Sequence, residues 1–463
     1  VKIPDPETSD LRVRASAATN PAEEPPIGAS VDVARHDETL HDAYSALRSS
    51  NYRRFATGFL VSSTGLQMLG AGVGWEIYER TKDPLALGWI GVARALPVIL
   101  FALPAGQIVD HFDRRKVLVL TQLAMGAAAA LLALASALPS MPLWSLYAAL
   151  SLMGCARVFN GPSRATLLPL IVDRDTFANA VTWNSGAFHF AATIGPILAG
   201  ILLAAFNAAW PVYAITAGAC WMFAMTASLL KPRPSDLAKG PISLRSMVAG
   251  ARHVYQEKTI LAAITLDLFA VMLGGATALL PIFAKDILTV APADYAWLPT
   301  FTRVWIAQEE VRYGILRAAP FVGAVLMTLV LAHRPPTRRA GPMLLAAVAG
   351  FGLCMIVFGL STSFLVSLAA LFVSGAIDNI SVVIRHVLVQ VRTPDALRGR
   401  VSAVNSVFIE SSNELGGFES GLVAKLVGPV ISVVSGGIGT VVVAAAVALA
   451  WPQVRSLRDL REK

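Results

Sequence analysis

The stretch GQIVDHFDRRKVLVL, residues 106–120, sets two acids (Asp110, Asp113) and three bases (Arg114, Arg115, Lys116) between two apolar runs. Upstream the run passes through Leu96, Val98, Leu100 and Leu103; downstream it extends from Val117 to Leu138. In a soluble protein such helices would show a polar face, and many segments here lack one. Runs of about 18 or more mostly apolar residues read as membrane spans. The charged patch is then a short loop joining two of them. The whole chain has this grain: its 463 residues are 55% hydrophobic and 15% charged, against roughly 25% charge in a typical soluble domain. The sequence is that of a polytopic, all-α membrane protein.

Apolar stretches centre near residues 65, 98, 127, 151, 194, 219, 271, 323, 350, 375, 414 and 440. That predicts about twelve helices of ~20 residues, the fifth and eleventh being the least hydrophobic. Residues 1–50 are rich in Pro, Glu, Asp, Ser and Ala without a hydrophobic period, and read as a disordered tail. No short apolar core with a small-residue cleavage site follows them, so no signal peptide is expected. Cys155, Cys220 and Cys354 all fall in apolar segments and read as small hydrophobes, not as a disulfide framework or a metal site. The net charge of +8 does not point to nucleic acid, because the bases gather in short loops between spans.

Those loops set the orientation. Bases follow the second span (Arg114, Arg115, Lys116), the sixth (Lys231, Arg233, Lys239, Arg245, Arg252, Lys258), the eighth (Arg334, Arg338, Arg339) and the tenth (Arg392, Arg398, Arg400). The C-terminus adds Arg455, Arg458, Arg461 and Lys463. Bases mark the cytoplasmic side, which places both termini inside. The outer loop 284–312 departs from this with Lys285, Arg303 and Arg312. It reads as an outer hairpin or interfacial helix, with Trp297, Phe301 and Trp305 as aromatic anchors or as part of a gate.

The chain is also duplicated. Shifted by 221 residues, Gly154 falls on Gly375, Arg164 on Arg385, Asn184-Ser185 on Asn405-Ser406, and Gly195 and Gly200 on Gly416 and Gly421, without a gap. A repeat with an even number of spans is parallel, with its axis along the membrane normal. The expected organisation is a cytoplasmic tail (1–50), a six-helix bundle (51–231), a cytoplasmic linker (232–258), a second bundle (259–454) and a short cytoplasmic tail (455–463).

With these motifs in place the chain resembles the major facilitator superfamily. Gly106-x-x-x-Asp110-x-x-x-Arg114-Arg115-Lys116 is similar to its loop motif, with Asp113 where the family has a glycine. Arg157-x-x-Asn160-Gly161 on the fourth span resembles its antiporter motif, with Asn160 in place of glutamine. Gly186, Gly195-Pro196 and Gly200 on the fifth span resemble the glycine-proline motif of exporters. GWEIYERTKDPLALGWIG (74–91) and TPDALRGRVSAVNSVFIESSNELGGFESGLVA (393–424) look like the drug:proton antiporter branch that includes the enterobactin exporter and macrolide efflux proteins. The resemblance covers about residues 50–455. It implies two pseudo-twofold related six-helix bundles in a bacterial inner membrane, working as a monomer on a small molecule. It also implies the proton gradient as the energy source, with no cofactor.

The resemblance also suggests roles. Gly106, Asp110, Arg114 and Arg115 would form a cytoplasmic gate, with Asp110 latching onto Arg114 or onto the helix that starts near Gly399-Arg400-Val401, where the dipole favours an anion. The bland alternative is a solvated loop with a surface ion pair worth ~0–1 kcal/mol. Ionisable groups within spans are costly in lipid and usually face a cavity; these are Arg94, Arg157, Asp267, Asp378, Arg385, Glu410 and Glu414. Glu410 and Glu414 lie four apart on one helix face. Two carboxylates that close in a low dielectric cannot both stay ionised cheaply, which suits proton exchange. Asp378 and Arg385 are about two turns apart on one face, and Arg157 would answer an acid from another helix. The alternative for each is static pairing. Glu76 is expected at the interface, and His189 either as a relay or as a satisfied buried histidine. Gly186, Gly195, Pro196 and Gly200 would let the fifth helix bend or merely pack. Gln67, Trp183, Asn184, Phe188, Asp267, Asn405 and Phe408 are expected to line a midplane site that suits an amphipathic molecule. The expected function is proton-coupled efflux of such a molecule, a drug, macrolide or siderophore. An uptake symporter is the alternative, and a receptor or embedded enzyme stands further off: no HExxH, Gly-x-Ser-x-Gly or nucleotide-binding loop is present.

Overall fold

The computed structural model describes residues 42–138, 140–234, 251–288, 296, 299–334, 339–394 and 397–457. The tail up to residue 41, residues 235–250 of the linker, Trp297 in the outer loop and residues 458–463 lie outside the described residues.

Twelve long helices are found among the described residues. They are α1 (Ser50–Thr81), α2 (Pro84–His111), α3 (Arg114–Ala137), α4 (Trp144–Ile171), α5 (Phe177–Phe206), α6 (Trp210–Ser228), α7 (Lys258–Leu273), α8 (Glu309–His333), α9 (Ala340–Leu360), α10 (Phe364–Arg392), α11 (Arg398–Val427) and α12 (Pro429–Ala450). α7 breaks at Gly274 and Gly275 and continues through short turns to a π-helical turn at Phe283–Ile287. A short helix, Thr300–Ala307, leads into α8. Eight of these stretches are long and apolar enough to cross a membrane, α5 among them. The eleventh falls short as expected, since it carries Glu410, Asn413, Glu414 and Glu419; packing against its neighbours places it.

Local chemistry sets the helix starts. Asp83 caps α2 by accepting from Leu85 N–H at 3.0 Å, with Pro84 at the first helical position, where its missing N–H is no loss. Asp113 caps α3, its Oδ1 accepting from Arg115 N–H (2.9 Å) and Lys116 N–H (3.3 Å). This explains the departure from the glycine of the loop motif. The backbone at Asp113 is extended (φ −61°, ψ 111°), so no glycine is required, and the carboxylate satisfies amides at the head of a basic first turn.

The packing is duplicated. α1 packs on α5 and α6, α3 on α4 and α6, and α2 on α4. Six helices later, α7 packs on α11 and α12, α9 on α10 and α12, and α8 on α10. Between the bundles α2 packs on α11 and α8 on α5, again six apart. Shifting the bounds of α5 by the 221-residue repeat gives those of α11. The molecule is two six-helix bundles related by a pseudo-twofold axis, meeting along α2–α11 and α5–α8. One face carries the basic loops after α2, α6, α8 and α10; the opposite face is called here the far face.

Candidate functional site

The two bundles touch most closely near the far face, and small residues make this possible. A Cβ on Gly421 of α11 would sit 2.7 Å from Pro84 O and 2.9 Å from both Gly88 Cα and Gly88 N of α2. One on Gly91 would run into Glu414 O, one on Gly200 into Glu310 O, and one on Gly314 into Pro196 O, all backbone atoms. Gly200 and Gly421 are repeat mates, so the same device closes both seams. Aromatic pairs flank them: Trp89 with Phe418 (5.4 Å) and Trp75 with Tyr313 (5.7 Å).

Polar bonds cross the same end. Lys425 donates to Asp83 Oδ2 at 3.0 Å, Lys285 binds Glu79, and Tyr78 donates to Asp286. Partial desolvation pushes the Asp83 carboxyl up, but the Lys425 ammonium and the Leu85 amide outweigh it and hold it below the usual carboxylate range. Both partners of this pair are partly exposed, so it is worth about 1 kcal/mol or less. Glu76 departs from expectation. It is buried, accepts from Tyr213 OH at 2.6 Å and pairs with Arg80 at 2.6 Å; a tyrosine and an arginine supply what water would.

Toward the basic face the seam parts. Gly186 lies on the face of α5 that carries Gly200, 14 residues away, and Gly106 on the face of α2 that carries Gly88, 18 residues away. A Cβ at either would meet nothing within 4 Å. Arg157, Ser406, Glu410 and Asn413 are exposed in this region. The side chains of Asp110 and of Arg398–Arg400 lie outside the described residues, and with them the expected latch. Arg114 opens α3, and Arg115 Nη1 donates to Leu230 O at 2.9 Å, tying the loop to the end of α6.

Charged side chains gather at the middle of the seam. Arg94 of α2 lies within electrostatic reach of Glu414 on α11, Arg157 on α4 and Arg317 on α8. Arg164, one repeat from Arg385, stands over the Phe59 ring at 4.3 Å. In the second bundle Arg385 of α10 pairs with Asp267 of α7, both buried, and Asp378 lies within electrostatic reach of both. A buried pair of this kind is kept only where its geometry is good, and removing one partner strands the other.

The structure thus brings together Asp267, Asp378 and Arg385, and separately Arg157 and Glu414 around Arg94. Glu410 is exposed one turn along from Glu414. The expected lining residues divide. Gln67 packs against Gly195. Asn184 accepts from Tyr52 OH at 3.3 Å, and Trp183 packs on Tyr44 at 5.8 Å. Asn405 is buried. Phe408 is exposed, in register with the exposed Leu415 and Leu422. Phe188 is exposed beside His189 (5.8 Å), whose Nδ1 has no hydrogen-bond partner among the described residues. Asn160 donates to Thr121 Oγ1 at 3.1 Å inside its bundle.

Arg317 was not among the expected site residues. The repeat carries its signal: Gly91-Val-Ala-Arg94 and Gly314-Ile-Leu-Arg317 are the same four-residue pattern at equivalent places. In each copy the glycine seats the seam and the arginine follows one turn inward.

Comparison with known proteins agrees with this geometry. The transmembrane secretion effector family matches residues 41–460. The chain is 25% identical over 426 residues to the enterobactin exporter EntS of Citrobacter koseri, covering 91% of this chain and 95% of that one. It is 23% identical over 425 residues to the enterobactin exporter EntS of Escherichia coli O1:K1, with the same coverage. Among solved structures it resembles a POT family transporter in complex with 5-aminolevulinic acid (TM-score 0.70, 11% identity, 88% of this chain and 97% of that one). It also resembles a bacterial homologue of the lysosomal transporter Spinster in an inward-facing, unoccupied conformation (TM-score 0.66, 14% identity, 89% and 99%). A D-xylose–proton symporter shares the fold as well (TM-score 0.63, 14% identity, 87% and 97%).

Proposed function

Since the chain belongs to the transmembrane secretion effector family of the major facilitator superfamily, and is therefore a multi-pass membrane transporter, we propose that it exports an amphipathic small molecule in exchange for protons by alternating access. The observation that carries this is the seam, shut by glycine-on-backbone contacts near the far face while Gly106 and Gly186 face open space nearer the basic one. A carrier waiting for cargo on its basic side has this form. Bases mark the cytoplasm, so the cleft opens inward, both termini are cytoplasmic, and cargo leaves through the far face of a bacterial inner membrane. The relatives named as enterobactin exporters favour a siderophore, with macrolides and other drugs as the wider class.

Proton exchange is assigned to Asp267, Asp378 and Arg385, with Arg157, Glu410 and Glu414 as further candidates. Protonating Asp267 removes the charge that holds Arg385 and leaves the guanidinium to Asp378, a rearrangement confined to α7 and α10. Gly186 and Gly200 leave the α8-facing side of α5 bare, Pro196 presents its carbonyl to Gly314 of α8, and Gly195 lets α5 pack on α1. The test is flux in proteoliposomes with an imposed pH gradient, screened over siderophores and macrolides with a pH-sensitive dye inside. Cargo-dependent proton movement is expected. Cargo flux that continues undiminished after the pH gradient and voltage are both collapsed would overturn proton coupling.

A further inference from the structure

We propose that Arg94 and Arg317 form a two-armed site, one arm from each bundle, that binds an anionic group on the cargo. The inference rests on the transport reading above and names the substrate class of its central cleft. One spot beside Gly70 of α1, where a Cβ would stand, lies 3.3 Å from Arg317 Nη2 and 3.8 Å from Arg94 Nη2. Two cations from opposite bundles thus converge on one point next to a residue with no side chain. Like charges this close repel and are held apart from water only at a cost, so an arrangement of this kind calls for an anion between them.

The protein itself does not supply that anion fully. Among the described residues Arg94 makes no hydrogen bond or ion pair, and the hydrogen bond Arg317 makes is a long one, 3.4 Å to Tyr313 OH. Within electrostatic reach of Arg94 stand two further guanidinium groups, Arg157 and Arg317, against one carboxylate, Glu414. Arg164 adds to the same side through Arg157. Arg94 and Arg317 are both half-buried. Guanidinium groups grip carboxylate, phosphate and catecholate oxygens in pairs. Sites near the midplane between repeats are where carriers hold their cargo. The glycines one turn away, Gly91 and Gly314, lie against the partner bundle's backbone and so fix where each arm starts. Glu414 is the built-in competitor for Arg94.

The test is equilibrium binding to the full chain in lipid nanodiscs, with enterobactin as the catecholate probe. Its fully O-methylated counterpart serves as the neutral probe and erythromycin as a cationic one. Wild type should prefer the catecholate over the neutral counterpart. Arg94→Gln and Arg317→Gln should each weaken catecholate binding about tenfold or more while leaving neutral-probe binding unchanged, and Arg94→Lys should restore part of it. Glu414→Gln should tighten it. Gly70→Asp, which puts a carboxylate on the spot itself, should abolish the preference even if the arginine variants fold poorly. Equal binding of charged and neutral probes by wild type, no catecholate binding at all, or a preference that survives both Arg→Gln changes and Gly70→Asp would overturn the proposal. Binding needs no gradient, so a chain that binds the catecholate without moving it would overturn the transport reading alone. One that exports erythromycin without binding the catecholate would overturn this inference alone.

Discussion

Replacing Gly421 by alanine tests the seam most directly. The new Cβ would stand 2.7 Å from Pro84 O and 2.9 Å from Gly88 Cα and N. All three are backbone atoms of α2 and cannot turn aside as a flexible side chain would. Ordinary contact begins at 3.4 Å, so α11 and α2 must separate by at least about 0.7 Å at this level. Overfilling a packed site costs about 1–3 kcal/mol. The helix-propensity gain from Gly to Ala is the same in both conformations and cancels. The balance should therefore move about fivefold to a hundredfold toward the conformation open at the far face. Spin labels at Trp144 and Leu426, both highly exposed, report the far end in a chain whose Cys155, Cys220 and Cys354 are changed to serine. Labels at Phe177 and Val391 report the basic end. In lipid nanodiscs the far-end distances should lengthen and the basic-end distances shorten. A folded Gly421→Ala protein with both distributions unchanged would refute the seam as the closing element.

Gly186→Ala should act in the opposite sense: it meets nothing in this conformation but obstructs closure at the basic end, so the same labels should show the far-closed form enriched and transport slowed. Asp267→Asn removes the partner of buried Arg385 and leaves it to Asp378, so thermal stability should fall by less than the about 3–5 kcal/mol of a fully broken buried pair, while Asp267→Asn with Asp378→Asn should reach that loss; equal loss in single and double variants would speak against the hand-over to Asp378. Asp378→Asn should leave insertion intact and abolish the pH dependence of flux, checked in proteoliposomes with the gradient imposed in either direction. Because Asp83 is held below the usual carboxylate range, its bond to Lys425 favours the closed far end at pH above the ordinary carboxylate value of about 3.9, and that contribution fades as pH falls through the lowered value. Acidification below about pH 4 should loosen the far end, and Asp83→Asn should remove the part due to Asp83, less than fivefold, leaving the part due to the Lys285–Glu79 bond.

Much of this architecture was legible in the residues. Apolar runs counted the helices, and the ungapped repeat from Gly154 and Gly375 onward foretold the matching of α5 with α11. The glycines were legible as places of close contact, though the sequence could not say which end would be shut. The lining residues were harder. Trp183 and Phe408 sit on apolar faces that periodicity cannot assign to lipid or to cleft, because both surroundings accept an aromatic ring. Arg317 escaped notice because its charge lies in an apolar run close to the outer loop, and only the second copy of Gly-x-x-Arg gives it meaning. Glu76 looked interfacial by position, yet it is buried, and its partners, the buried Tyr213 and the exposed Arg80, come from another helix and from a turn along its own.

The paired arginines would stand at the fulcrum of the proposed alternating-access motion. Arg94 follows the seated Gly91 by one turn, whereas Gly106 lies twelve residues further along α2, a lever arm of about 18 Å. If the bundles tilt against each other as proposed, the tip near Gly106 would sweep several ångströms while the two guanidinium groups would hardly change their spacing. A ligand gripped there would be carried through the tilt without being let go, and its release must come from a change in charge instead of from being pulled apart.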